Sequence, residues 1–158
     1  MQTFHNDFAR LLAQLKRHEG ANKDPDGYHI PYRCPAHRLT IGYGHNLDAN
    51  PVPGINGKLT EDQAQRLLEA DVIAVQEQLA AHLPWIKALN APRYAMLVNM
   101  AFNLGVGGLL GFKKTLAFVR VGDFRSAAKE MLNSKWAAQV GNRAKELSRQ
   151  METGQWQG

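Results

Sequence analysis

The 158-residue chain is 44% hydrophobic and 21% charged, with a formal net charge of +5 and one cysteine, Cys34. Those values fit one globular domain with room for two lobes, and they exclude a disordered chain, an internal disulfide and, with no run of about 18 apolar residues, a membrane span. The charge favours a polyanionic partner, and nucleic acid, an acidic cell envelope and an anionic membrane all satisfy it.

Phe4, Phe8, Leu11, Leu12 and Leu15 recur at helical spacing and predict an amphipathic first helix. Glu19 continues that face, and Gly20 is a stop signal. Polar and charged residues run through the same N-terminal stretch, which lacks the apolar core of a signal peptide, so none is expected. Residues 21–35 are rich in Asn, Asp, Pro and Gly and read as loop or hairpin. Leu39, Ile41 and Tyr43 alternate with Thr40, Gly42 and Gly44, which reads as a short strand with Thr40 on the face opposite Leu39 and Ile41. Pro51 to Gly57 is a turn-rich connection.

Thr60-Glu61-Asp62-Gln63 is a capping box, with Thr60 as cap and Gln63 reaching back. The helix it opens is predicted over 60–82, ends before Pro84, and is long enough to join two lobes. Pro92 suits the first turn of a helix that carries Met96, Leu97, Met100, Ala101 and Leu104 and stops at Gly105. Shorter helices are predicted at about 108–120, 123–134, 135–140 and 142–152. The expected architecture is α+β and mostly α. It is one domain over 1–158, with a β-containing lobe at about 20–57, a connecting helix at 60–82 and a helical lobe at 92–158. Such an arrangement lets groups from two lobes face each other across a cleft.

Glu19 is the leading chemical candidate. Most glutamates at helix ends are only solvated. A carboxyl that prolongs an apolar face is instead desolvated and held protonated near neutral pH, as a general acid for glycosidic oxygen requires. Cys34 and Thr40 form the next pair. A lone cysteine is ordinarily a small core hydrophobe, and a strand threonine ordinarily serves β-propensity. On the cleft side of a hairpin, Cys34 acts as nucleophile or polar stabiliser and Thr40 holds a water or a sugar hydroxyl. Asp24-Pro25-Asp26-Gly27 is first of all a turn, with two carboxylates in reach of a neighbouring site.

His18, His29, His37 and His45 lie close together in sequence around Cys34, but no spacing matches a zinc pattern, so no metal and no cofactor are expected. His45 follows a Gly-x-Gly turn, and Asp71 on the long helix is its candidate partner in a structural ion pair. Phe102 and Asn103 close an apolar run. Trp85 and Trp136 read as core, and Arg143 by itself reads as a solvated charge.

Together these residues resemble the T4-type phage lysozymes, or endolysins. The resemblance runs through Glu19-Gly20, Cys34, and Thr40-Ile41-Gly42-Tyr43-Gly44-His45. It continues through Ala70-Asp71-Val72, Asn99 to Gly105, Gly111-Phe112, Ser134-Lys135-Trp136, Asn142-Arg143-Ala144 and Thr153-Gly154-Gln155-Trp156. It covers nearly the whole chain. It implies a muramidase that cleaves the β-1,4 bond between N-acetylmuramic acid and N-acetylglucosamine in peptidoglycan. By that likeness Glu19 is the general acid, Cys34 takes the second catalytic position, and Thr40 positions the attacking water. Arg143 contacts Glu19, Phe102 and Asn103 line the cleft, and His45 pairs with Asp71. The implied protein is a monomer that gathers in the host cytoplasm and reaches the wall through a holin-like pore, without stable membrane insertion.

Three features depart from the family pattern. The second catalytic residue is commonly aspartate and here is Cys34. A neutral thiol does not stabilise an oxocarbenium ion as a carboxylate does, and a thiolate needs a lowered pKa. The loop from Glu19 to Cys34 is longer than usual and contains Asp24 and Asp26. His37 stands where glycine is common, and histidine tolerates a positive φ better than most residues. The missing carboxylate motivates an alternative on the same fold: a lytic transglycosylase, or a peptidoglycan-binding module without hydrolysis. A nucleic-acid binder is disfavoured, because the basic residues are spread along the chain and interleaved with acids.

Overall fold

The computed structural model describes residues 2–52 and 57–158, with the side chains of residues 2–5 outside the description. The expected contribution of Phe4 and the centre of the 51–57 connection therefore lie outside the described residues. The described elements are eight α-helices, one short 3-10 helix and one three-stranded sheet, an α+β fold of mostly helix. The chain divides into two compact units: Leu12–Ala74, and Met1–Leu11 with Val75–Gly158.

The smaller unit starts within α1 (Gln2–Glu19). Leu12 and Leu15 of this helix are buried, as the apolar spacing requires. The sheet follows, with β1 (Tyr32–Arg33), β2 (Leu39–Ile41) and β3 (His45–Asn46) in that order, all antiparallel. β2 ends before Tyr43. Gly42 and Gly44 have φ of +63° and +82° and bend the chain into a turn, so Tyr43 sits in the turn and not in the strand. Ile41, Leu59 and Ala64 form a small core, with Tyr43, Leu47 and Leu67 packed on it. α2 (Glu61–His82) begins with a closed capping box. The Thr60 N–H donates to Gln63 Oε1 at 2.9 Å, and the Gln63 N–H donates to Thr60 Oγ1 at 3.1 Å.

The larger unit is helical. A 3-10 helix (Pro84–Ala88) precedes α3 (Ala91–Leu104), whose N-cap Asn90 accepts the Arg93 N–H at 3.2 Å. Seven consecutive α3 residues, Ala95 to Ala101, are buried. A helix enclosed on all sides is the centre of its unit. Then come α4 (Val106–Leu110), α5 (Lys113–Arg120), α6 (Phe124–Leu132), α7 (Lys135–Val140) and α8 (Asn142–Thr153). The helix expected over 108–120 is two helices broken at Gly111-Phe112. Gly107, Gly108 and Gly111 weaken any continuous helix there, since each glycine costs about 1 kcal/mol relative to alanine. α8 closes the unit. Arg93 donates to the carbonyls of Met151 at 2.7 Å and Glu152 at 2.9 Å, satisfying the orphan oxygens at the end of α8.

Candidate active site

Glu19 is the last residue of α1 and is half-buried. Gly20 ends the helix in the left-handed region, with φ +67°, and its N–H returns to the Lys16 carbonyl at 3.0 Å. The carboxyl arm of Glu19 lies against Gly44. A methyl group on Gly44 would fall 3.0 Å from the Glu19 carboxyl carbon and 3.1 Å from Cγ. Glycine leaves that space to the carboxyl arm, and a side chain there would displace it.

Cys34 and Thr40 come from the hairpin that β1 and β2 form. Tyr32 faces Thr40 in the register. Strand alternation then puts Tyr32, Cys34 and Thr40 on one face and Arg33, Leu39 and Ile41 on the other. The turn between the strands closes with Cys34 N–H to the Arg38 carbonyl at 3.0 Å and His37 N–H to the Cys34 carbonyl at 2.8 Å. His37 has φ +62° and takes the left-handed place at the end of this three-residue loop. Pro35 suits the first corner of such a turn.

Burial pushes the Cys34 thiol up. Backbone hydrogen bonds with Arg38 and Ala36, a hydrogen bond with the Thr40 side chain, and the Arg38 charge outweigh that push, so the thiol lies below its ordinary value. Thr40 has a single hydroxyl proton, which it donates to the Arg38 carbonyl at 3.0 Å. That carbonyl also accepts the Cys34 N–H. It therefore keeps a partner when the Thr40 proton turns to the sulfur. Tyr32 completes this face. Burial first, then the charges of Glu19 and Cys34, hold its phenol above the usual tyrosine range. One phenol thus feels both groups. Sequence reading missed Tyr32, because an isolated tyrosine at a strand edge carries no signal.

His45, buried at the start of β3, has its Nδ1 2.7 Å from Asp71 Oδ2 and its Nε2 2.7 Å from the Asn50 carbonyl oxygen. Asp24 serves its own turn: its Oδ1 accepts the N–H groups of Asp26 at 2.9 Å and Tyr28 at 3.0 Å.

A second cluster centres on Glu61 at the start of α2. Its carboxylate accepts the Tyr43 hydroxyl at 2.5 and 2.9 Å, faces His29 Nε2 at 2.8 Å, and pairs with Lys23 Nζ at 3.1 Å. Lys16 approaches at 3.9 Å and lies over the Tyr43 ring. Burial acts to raise the Glu61 carboxyl, but Tyr43, His29 and Lys23 together bring it down to about 2. Burial, then the Glu61 hydrogen bond and charge, push Tyr43 up to about 12. The sequence presents Glu61 only as part of a capping box. Its partners come from three other segments.

The helical unit holds the remaining predicted residues. Arg143 is nearly buried and donates from Nε at 3.1 Å and from Nη2 at 2.8 Å to Asn99 Oδ1. Asn103 Oδ1 accepts the Trp136 indole N–H at 2.6 Å. The Trp136 ring meets Phe112 edge-on, with centroids 6.0 Å apart. Phe102 is half-buried beside Asn103 at the end of α3. Among the described residues, no three His, Cys, Asp or Glu side chains converge as metal ligands, and no helix is long and apolar enough to cross a membrane.

The fold and this geometry define a class: an α+β chain whose first helix delivers a carboxylate onto a glycine turn beside a polar hairpin face. The family described as phage lysozyme matches residues 16–153, and the chain belongs to that family. It is similar to the pre-baseplate central spike protein Gp5 of Enterobacteria phage T4, 29% identical with 96% of this chain and 29% of the relative covered. It is also similar to an endolysin of Acyrthosiphon pisum secondary endosymbiont phage 1, 29% identical over 80% of this chain and 76% of the relative. A third relative is the peptidoglycan hydrolase gp36 of Enterobacteria phage SP6, 30% identical over 81% of this chain. The chain spans 29% of the length of Gp5 and 14% of that of gp36.

Proposed function

We propose that this chain is a peptidoglycan hydrolase, a muramidase acting in bacterial cell-wall degradation and host lysis. The substrate bond is the β-1,4 link between N-acetylmuramic acid and N-acetylglucosamine. The observation that carries the reading is the shared neighbourhood of Glu19 and Cys34, whose charges both act on the Tyr32 phenol. Family membership and the names of the endolysin and hydrolase relatives support the substrate class.

In the proposed reaction Glu19 gives its proton to the glycosidic oxygen as the bond to C1 breaks. Thr40 holds the attacking water, whose oxygen bonds C1. The water proton passes to the Cys34 thiolate, which the surrounding donors favour. Solvent then returns the proton to Glu19 and takes one from Cys34. Phe102, Asn103 and Arg143 are proposed to act on the substrate side. The His45–Asp71 pair is proposed as a structural link between hairpin and α2.

The test is digestion of purified peptidoglycan followed by mass spectrometry of the released fragments. Reducing muramic acid ends are expected. Anhydro ends would replace the reading with a transglycosylase, and intact sacculi with bound protein would replace it with a binding module.

A further inference from the structure

We infer that the Tyr43–Gly44 turn, pinned from behind by Glu61, is a positioning device for the Glu19 carboxylate. The inference rests on the proposed role of Glu19 and extends it to residues that no part of that reaction requires.

Three observations carry it. First, Gly44 touches the carboxyl arm of Glu19 so closely that a methyl group there would lie within 3.0 Å of the carboxyl carbon. Backbone is a rigid neighbour, so the turn sets one wall of the space open to the carboxylate. Second, the adjacent residue, Tyr43, has its hydroxyl on both oxygens of Glu61, at 2.5 and 2.9 Å. Third, Glu61 is itself fixed by His29 at 2.8 Å and Lys23 at 3.1 Å, and the His29 ring stands edge-on to Tyr43 at 5.0 Å. The backbone of residue 29 is tied to Leu59 by N–H···O bonds of 2.7 and 2.9 Å, just before α2 starts. The turn therefore cannot retreat from Glu19 without breaking a charged network.

The same turn contains its own control. Gly42 has φ +63° and Gly44 has φ +82°, so alanine at either position is strained by its backbone. A methyl group on Gly42, however, meets only ordinary contacts, Ala64 Cβ at 3.6 Å and Ala64 Cα and Leu59 Cδ1 at 3.9 Å. Gly42→Ala and Gly44→Ala share the strain, and only the second reaches Glu19.

The experiment measures kcat and KM separately on soluble glycan strands from peptidoglycan, with Tm for each protein. Wild type, Glu19→Gln, Gly42→Ala, Gly44→Ala and Tyr43→Phe are compared. Both alanine variants should lose similar thermal stability. Gly44→Ala should lose about 10²-fold in kcat with KM within about twofold, the scale of a displaced catalytic group. Gly42→Ala should stay within about threefold of wild type. Tyr43→Phe keeps the ring and loses only the hydroxyl, so it should fold and lower kcat about 3–10-fold at unchanged KM. Equal kcat losses in the two alanine variants, or full kcat in Tyr43→Phe, would overturn the inference. Full activity in Glu19→Gln would instead overturn the proposed role of Glu19, so the two failures are distinct. If Gly44→Ala does not fold, Tyr43→Phe alone decides.

Discussion

His45 Nδ1 lies 2.7 Å from Asp71 Oδ2, and the opposite ring nitrogen lies 2.7 Å from the Asn50 carbonyl oxygen. Both nitrogens face acceptors, so the imidazolium satisfies both contacts and a neutral ring satisfies one. The hydrogen bond to Asp71 raises the His45 pKa. Burial opposes it, and the Asn50 carbonyl and the Asp71 charge reinforce it. A raised histidine pKa gives stability that is fully present below the unfolded value of about 6.5 and is lost as pH rises through the folded value. Asp71→Asn should therefore destabilise the protein by about 1–3 kcal/mol at pH 5 and by less at pH 9. Denaturant unfolding at the two pH values checks this, and an equal loss at both would contradict it.

Glu61 titrates the other way. Its folded pKa of about 2 lies below the ordinary glutamate value, so its contribution is present above about 4.3 and fades as pH falls through 2. Tyr43, pushed up to about 12, keeps its proton through the same range and beyond. Between pH 5 and 9 neither group changes charge. Tyr43→Phe should accordingly shift stability by the same amount at pH 5 and pH 9, in contrast to Asp71→Asn. A difference that changes across that range would contradict this assignment.

Cys34 should alkylate as a thiol of lowered pKa. Burial works against ionisation, and the Arg38 and Ala36 backbone, Thr40 and the Arg38 charge overcome it. The midpoint of the iodoacetamide rate against pH should fall below that of a free cysteine. Thr40→Val removes one donor and should move the midpoint up. An unmoved midpoint would show that Thr40 does not support the thiolate. Cys34→Ser should lose wall lysis, and Cys34→Asp should recover part of it.

Charge is unequal between the two units. The helical unit carries 12 Lys and Arg against 6 Asp and Glu, and the smaller unit carries 7 against 8. Under the proposed function, attraction to an anionic wall should then come chiefly from the helical unit. Raising salt from about 0.1 M to about 1 M shortens the screening length from about 10 Å to about 3 Å and should weaken binding to sacculi. Replacing the exposed Arg120, Arg125 and Lys129 by Gln should reduce that salt dependence more than replacing Lys58 and Arg66. Equal effects would place the attraction elsewhere.

The elements legible in the sequence are those with local causes. α2 shows its capping box, and α3 shows Pro92 and Gly105 at its ends. The Asp24 turn shows in its residue types. The break between α4 and α5 was hidden, because Leu109, Phe112, Leu116 and Val119 keep a helical rhythm across Gly111-Phe112. Tyr43 reads as strand by alternation, and two positive-φ glycines override that pattern. The Glu61 cluster was not legible. Lys23, His29 and Tyr43 come from separate segments, and only the folded chain brings them to one carboxylate. Tyr32 was missed for the same reason, whereas Glu19, Cys34 and Thr40 stand out through their neighbours.

Glu19 is proposed to supply the proton. The direct measurement is the rate of muropeptide release from purified peptidoglycan by wild type and by Glu19→Gln, with fragments identified by mass and both proteins matched for folded content. General-acid catalysis predicts a loss of about 10²–10⁴-fold in the variant, with reducing muramic acid ends from the wild type. Release by Glu19→Gln within about threefold of wild type would contradict it.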